Sequence, residues 1–537
     1  MNTNRFALIL LGTMAFLGSN APASMADVVS TTAPEDFETE AIFLDGSGEL
    51  EAVPAEDAPA AQPTFIEPEP VFPEDLLEEE GILLDDEDAA TDTTDDALEE
   101  SVTADEEVVE TPNYIERFRA GVDLYQAGDN QAAITEFNAA ISINPNYAPA
   151  YLFRGAAFAR LEDTTAALNS YNQAIAIDFN YGAAYLNRGI LYYELQNTDR
   201  AYVDFDRAIA VDPSLATAYI YRGLLDSERN NQEIALEDLN EAVRLAPDNA
   251  FAYFHRGLIF KALDNFEAAI VDFSQAIDLN DDYVAAYVNR GVSHYELEAL
   301  EAALKDFNTA IRLDESNVEA YYNRSFALAA ANRPRAALAD LNQVLTLDPS
   351  YADAYLIRGQ IYAASGNSTA AISDFNRLLQ LSPESAEAYY RRGSVHLLIG
   401  DEQTALNDFS TALTLRPDHA PSYKGRGDTF ASLGDSVSAI GDYTTAIELD
   451  PTYWDAYSER GRTYYEAGEY QAAYADFSQV LTTDVFTPDA FYYRGITSAQ
   501  LGNTVSAQAD LEKAGSLYLA NNEAERYRIV LDALSQL

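Results

Sequence analysis

From Tyr114 onward, apolar residues recur at spacings of three and four, the period of an amphipathic helix, and the helical stretches themselves recur at one fixed interval. In residues 148–181, Tyr151, Arg154, Gly155 and Phe158 share one helical face, and Ala167, Tyr171 and Ala174 share a second. Glu162-Asp163-Thr164 lies between them, with Asp163 or Thr164 placed to cap the second helix. Asp178-Phe179-Asn180 ends that helix; elsewhere Asp212-Pro213, Asp348-Pro349 and Asp450-Pro451 do so, because proline cannot continue a helix. Each stretch therefore reads as an antiparallel helical hairpin.

The interval is 34 residues. Arg-Gly stands at 154–155, 188–189, 222–223, 256–257 and 290–291, and again at 358–359, 392–393, 426–427, 460–461 and 494–495. Arg324-Ser325 fills the gap and Ala120-Gly121 begins the series, so twelve units cover 408 residues from Tyr114 to Asn521. Such a period is the signature of a solenoid. Twelve residues after the glycine position stands alanine in every unit, Ala133 through Ala507. Sixteen after it stands Phe, Tyr or Leu, and four before it Tyr, except Phe491 and Arg117. Small residues at a crossing with large ones beside it let helix axes approach closely in interlocking layers.

Arginine precedes the glycine position in eleven units, and aspartate follows it by fifteen residues in ten, Asp204 through Asp510. A matching acid that repeats with the arginine points to a structural Arg–Asp ladder, such as Arg290 with Asp306, more than to an anion site. The repeat alone leaves open whether the partner lies in the same hairpin or the next.

The order Tyr185, Gly189, Tyr192, Ala201, Phe205, Ala208, Pro213 resembles the tetratricopeptide repeat family, and the resemblance covers about three-quarters of the chain. It implies an all-α fold, a right-handed superhelical solenoid of 34-residue hairpins whose concave face is lined by first helices. Residues 522–537, with Tyr527, Val530, Leu531 and Leu534 on one face, resemble the capping helix that such arrays need over their last apolar surface.

The resemblance also implies where a ligand would lie. Three before the glycine position stand Leu186, Ile220, Phe254, Val288, Tyr322 and Tyr390; one after it stand Ile190, Leu224, Leu258 and Phe326. Two before it, Asn187, Asn289 and Asn323 match the asparagine ladder with which one family member grips an extended peptide backbone, in three units of twelve. Beyond Gln360 the row after the glycine turns polar, with Ser394, Asp428 and Arg462. These stripes are read either as a groove or as packing between neighbouring first helices. The family's clamp for acidic C-termini is unmatched: only Lys424 is basic three before the glycine, and Asp428 replaces the expected asparagine.

Charge narrows the partners. The 537 residues carry 89 acidic and 32 basic groups, a net charge of −57, which repels phosphate backbones and favours neutral, apolar or basic protein segments over nucleic acid. Residues 27–113 hold 30 of the acids with scattered prolines and no Lys or Arg, the composition of a disordered, self-repelling linker. Its small apolar islands, such as Ala41-Ile42-Phe43-Leu44, read as incidental spacer content or as linear motifs. Before it, Arg5, the apolar run from Phe6 to Gly18 and the small residues to Ala26 have the three-part layout of a secretory signal, cleaved after Ala23 or Ala26; an uncleaved anchor is the alternative. The mature chain is then exported and spans no membrane, with the periplasm the first expectation and the extracellular space the second.

No cysteine is present, and His255, His294, His396 and His419 form no metal-ligand pattern. His294 and His396 occupy an offset filled elsewhere by aromatics and read as core residues. No phosphate loop or dinucleotide fingerprint occurs, so neither enzyme nor cofactor is expected. The domain reading is a signal at 1–26, an acidic linker at 27–113, twelve hairpins at 114–521 and a cap at 522–537. The function expected is a protein–protein interaction scaffold of the cell envelope, or alternatively a structural adaptor of an envelope or polysaccharide-export assembly working through its outer surface.

Overall fold

The computed structural model describes residues 113–482 and 487–537; the expected export signal and all of the acidic linker but Asn113 lie outside them. The described residues form 25 helices and no strand. They fall into two units, one ending at Glu315 and the other beginning at Ser316. Each contains six hairpins, and the second closes with an additional helix, Ala524–Ser535. A representative hairpin pairs Ala250–Ala262 with Phe266–Leu279.

The alanines twelve after the glycine position are fully buried in all twelve hairpins. The glycines are needed for the approach of one specific ring: a Cβ on Gly257 would stand 2.7 Å from Cε1 of Phe273, and one on Gly291 2.7 Å from Cε1 of Phe307. Phe273 and Phe307 are themselves fully buried. The one hairpin with serine at this position, Ser325, has Leu341 where most others have an aromatic. Leucine also faces Gly223, where a Cβ would stand 3.2 Å from Leu239 Cγ. At Gly495, which also faces leucine, a Cβ would stand 2.9 Å from Leu511 Cγ, so leucine accompanies serine in the Ser325 hairpin without making room in every one.

Between the two helices of a hairpin the chain passes through the left-handed region once, at Gly128 (φ 80°) in the first hairpin and Glu162 (φ 58°) in the second. The following residue takes the N-cap position of the second helix, and in seven of the twelve hairpins its side chain accepts a bond from that helix's first turn. In the second hairpin this is Asp163, whose carboxylate accepts from Ala166 N at 3.0 Å.

The Arg–Asp ladder forms within the hairpin and reaches beyond it. Arg290 Nε and Nη2 donate to the two oxygens of Asp306 at 2.9 and 2.7 Å, and Nη1 donates to Ser274 Oγ of the preceding hairpin at 3.0 Å. Arg188 does the same with Asp204 and Asn172, Arg222 with Asp238 and Asp206, and Arg358 with Asp374 and Asn342. Each of these guanidinium groups also lies over the tyrosine four before the glycine, Arg290 at 5.5 Å from Tyr287, and Arg494 lies over Phe491. The exceptions are consistent with this geometry. Arg154 meets Ser170 in place of an aspartate. In the first hairpin, where Ala120 replaces the arginine, Arg117 takes the tyrosine's position and pairs with Glu136 at 3.0 Å.

The last helix packs Val530, fully buried, with Tyr527, Ala533 and Leu534 against Leu511, Ala514 and Tyr518. Leu531, expected on the packed face, is instead 45% exposed. Arg526, paired with Asp489 at 2.9 Å, fixes the helix to the hairpin before it.

Two outcomes are expected. Gly291→Ser should destabilise the first unit by about 1–3 kcal/mol through overpacking, and adding Phe307→Leu should recover part of that loss in urea unfolding. Arg290→Met and Asp306→Asn should couple by about 1–3 kcal/mol in a double-mutant cycle, because either single change strands a partner that is largely buried; purely additive effects on unfolding would contradict the ladder.

Candidate functional site

The groove rows separate by depth. In the first unit Leu186, Ile220, Phe254 and Val288, all three before the glycine, are buried, and so is Ile190. Their contacts are with the hairpin cores: Phe254 lies 5.8 Å from Phe273 and 4.8 Å from Tyr283. Leu224, Leu258 and Asn289 are half-buried and form the accessible level. In the second unit Tyr322, Phe326 and Tyr390 are buried, while Asn323 is half-buried. Leu186, Ile220, Phe254, Val288, Tyr322 and Tyr390, three before the glycine, thus pack between hairpins, while Leu224, Leu258, Asn289 and Asn323 stay partly exposed.

The asparagine amides are engaged with their own helices. Asn187, itself buried, donates from Nδ2 to Ala183 O at 2.8 Å, and Asn289 donates to Ala285 O at 2.9 Å. Lys261 Nζ, one hairpin earlier, donates to Asn289 Oδ1 at 2.8 Å. This contact shows that the position four after the glycine in one hairpin meets the position two before it in the next. A backbone-gripping amide at Asn187 or Asn289 would first have to leave its carbonyl.

His255 lies between Asn187 and Asn289 in the same series of positions. Its ring is buried against Phe251 at 4.1 Å and Phe254 at 5.2 Å, and its Nε2 has no hydrogen-bond partner. Burial alone pushes its pKa down to about 3, so the ring is neutral in the folded chain. His294 and His396 are partly exposed, not core: His294 Nε2 lies 3.8 Å from Asp306 Oδ2 and His396 Nδ1 3.1 Å from Asp401 Oδ2.

The second unit's first helices carry charge on the groove side, braced in pairs. Arg391 Nε donates to Glu387 at 2.6 Å, Lys424 Nζ lies 2.9 Å from Asp428, and Arg462 donates to Glu459 at 3.1 Å. Tyr443 OH also donates to Asp428 at 2.9 Å. Asp428 and Arg462 stand in the polar row of the sequence, and the pairs they form carry their own signal there, the i to i+3 and i+4 spacing of opposite charges. His419 Nδ1 stands 2.7 Å from Ser422 Oγ, and its Nε2 3.9 Å from Glu387 Oε2. This serine–histidine–carboxylate string braces a helix start: His419 is the residue before the helix Ala420–Ser432, and Ser422 in its first turn has no exposed surface to offer a substrate. Among the described residues no group of three His, Asp or Glu is placed to hold a metal ion, and no helix is long and apolar enough to cross a membrane.

Models of the tetratricopeptide repeat match residues 121–162, 148–181, 182–215, 257–298, 293–332, 322–386, 364–420 and 442–475, together more than half of the chain. Among solved structures, YrrB, described as a TPR protein with an unusual peptide-binding site, is 22% identical over 36% of this chain and 98% of its own, with a TM-score of 0.33. The APC/C hetero-tetramer Cut9–Hcn1 is 12% identical over 79% of this chain and 96% of its own, with a TM-score of 0.42. A tetratricopeptide repeat protein from Parabacteroides merdae ATCC 43184 is 20% identical over 46% and 98%, with a TM-score of 0.38. The search of curated proteins gives no match.

The buried histidine makes the first unit acid-sensitive. Below the ordinary histidine pKa of about 6.5 the unfolded chain takes up a proton that folded His255 refuses, so stability falls as pH decreases from about 6.5 toward 3, by about 1.4 kcal/mol per pH unit. His255→Phe should remove that slope and move the midpoint of acid unfolding, followed by circular dichroism, to lower pH.

Proposed function

The chain belongs to the tetratricopeptide repeat family, and on that premise we propose that it is a non-enzymatic protein–protein interaction scaffold of the cell envelope. It binds extended or helical partner segments along the groove faces of its first helices. Export rests on the layout of residues 1–26, with the periplasm its destination before the extracellular space. The partners are protein segments, neutral, apolar or basic, and not nucleic acid, because the net charge of −57 selects against anions.

The observation that carries the reading is the open level of the groove. In the first unit Leu224, Leu258 and Asn289 remain half-buried above a floor of Leu186, Asn187, Ile190, Ile220, Phe254 and Val288; in the second Asn323 is half-buried while Tyr322, Phe326 and Tyr390 are buried. A repeat array recognises long segments through many such shallow contacts made together.

One observation favours the second reading, an adaptor in an envelope or polysaccharide-export assembly. Val203 and Val271, at the same offset on second helices of the first unit, are each 66% exposed. Photo-crosslinking separates the two. With p-benzoylphenylalanine at position 258 or at position 271 of the full chain in its native envelope, a groove scaffold gives an identified adduct from 258 that a Leu224→Asp variant loses. Adducts from 271 alone would put the interaction on the outer surface.

A further inference from the structure

We propose that the groove face of the last two hairpins of the second unit is a cradle for a basic side chain, lysine or arginine, carried by a partner segment. The proposal rests on the groove reading above and names the chemistry that one end of it selects.

The helix Trp454–Glu466 places Glu459, Arg462 and Glu466 at i, i+3 and i+7, along one face. Arg462 Nη1 donates to both oxygens of Glu459, at 3.1 and 3.2 Å, and its guanidinium lies 5.5 Å over the ring of Tyr493 in the next hairpin. Its Nε is buried without a partner. Glu466, exposed, feels the same guanidinium but makes no ion pair of its own among the described residues. Lys424 also acts on Glu459, so two resident cations, Arg462 and Lys424, face three carboxylates, Glu459, Asp428 and Glu466. The neighbouring charges are already committed: Lys424 to Asp428, and Arg526 to Asp489.

Aromatic faces complete the cradle. Tyr492 and Tyr493 stand 5.2 Å apart at 73°, Tyr465 acts on Tyr492, and all three are half-buried; Tyr493 is already engaged by Arg462 and by Phe477, stacked on it at 5.5 Å, which leaves Tyr492 and Tyr465 for a further cation. A tyrosine ring attracts a cation over its face, more strongly where water is partly excluded. The resident guanidinium over Tyr493 shows that this combination of ring and carboxylate accommodates one. A further cation beside Glu466 would neutralise the surplus negative charge, and it would favour the ionised form of Glu459, whose carboxyl burial pushes up. An acidic side chain would meet Glu459, Glu466 and Asp428 together and be rejected. The acidity of the whole chain draws the same class of partner at longer range.

The test uses the full chain and four fluorescein-labelled peptides of twelve residues, built from Gly, Ser and Leu around a single central Lys, Arg, Gln or Glu. Anisotropy should show the Lys and Arg peptides binding roughly three- to tenfold tighter than the Gln peptide, with Glu weakest and the preference shrinking at high salt. Glu466→Gln and Tyr492→Leu should each remove the preference, while Tyr492→Phe keeps it, since the ring and not the hydroxyl holds the cation. Glu466 is exposed, so its substitution leaves the fold intact, which far-ultraviolet circular dichroism checks. Equal binding of the four peptides, or a preference untouched by Glu466→Gln, overturns the cradle. If the peptides bind without charge preference and still block crosslinking from position 258, the groove reading survives alone; if they neither bind nor block it, both fall.

Discussion

The fold depends on how closely two helix axes can pass. At each crossing a fully buried alanine and a residue with little or no side chain admit the axes, and a ring or a leucine fills what remains. This is a constraint on shape, since a methyl group on Gly257 would collide with Phe273. It fixes the rotation of each first helix about its own axis, and so decides which positions face the core and which face the groove. The functional surface follows from this packing rule.

The hairpins, their turns and the small-to-large register were legible because each leaves a period in the sequence. The Arg–Asp pairing was legible for the same reason, since a base and an acid repeat together. What a period cannot separate are alternatives that share it. The arginine's reach to its own hairpin or to its neighbour's is such a case, and Arg290 does both, with Asp306 and Ser274. Depth is another. Rows three before and one after the glycine lie on adjacent parts of one helical face, and only the neighbouring helix determines that Val288 is covered while Leu258 is not. The turn of an amide side chain leaves no trace in a repeat either: Asn187 and Asn289 sit where a peptide-gripping ladder would have them, yet bond their own helices. Leu531 shows a related limit. It stands 45% exposed beside the fully buried Val530, so the apolar period overstates the packed face.

The two units present different groove chemistry on the same frame. The first offers half-buried aliphatic side chains and amides over an aliphatic and aromatic floor. The second offers carboxylates and cations held to one another, from Glu387 with Arg391 to Glu459 with Arg462. Paired charges keep the surface hydrated and specific without adding much to stability. Because both chemistries sit at the same repeat positions, they can vary without disturbing the crossing beneath them.

The arginine that grasps its own aspartate and the preceding hairpin has a consequence for how such a chain can change in length. Most hairpins bring a guanidinium that reaches backward and a polar group that the successor uses, Asn172 for Arg188 and Asp206 for Arg222, whereas the first has Ala120 instead and Ser478 is left unused by Arg494. Duplicating or excising a whole 34-residue segment therefore joins compatible ends, whereas a cut of any other size breaks the match on both sides of the seam. Heredity can then lengthen or shorten this molecule in quanta, each adding or removing one hairpin's share of exposed surface.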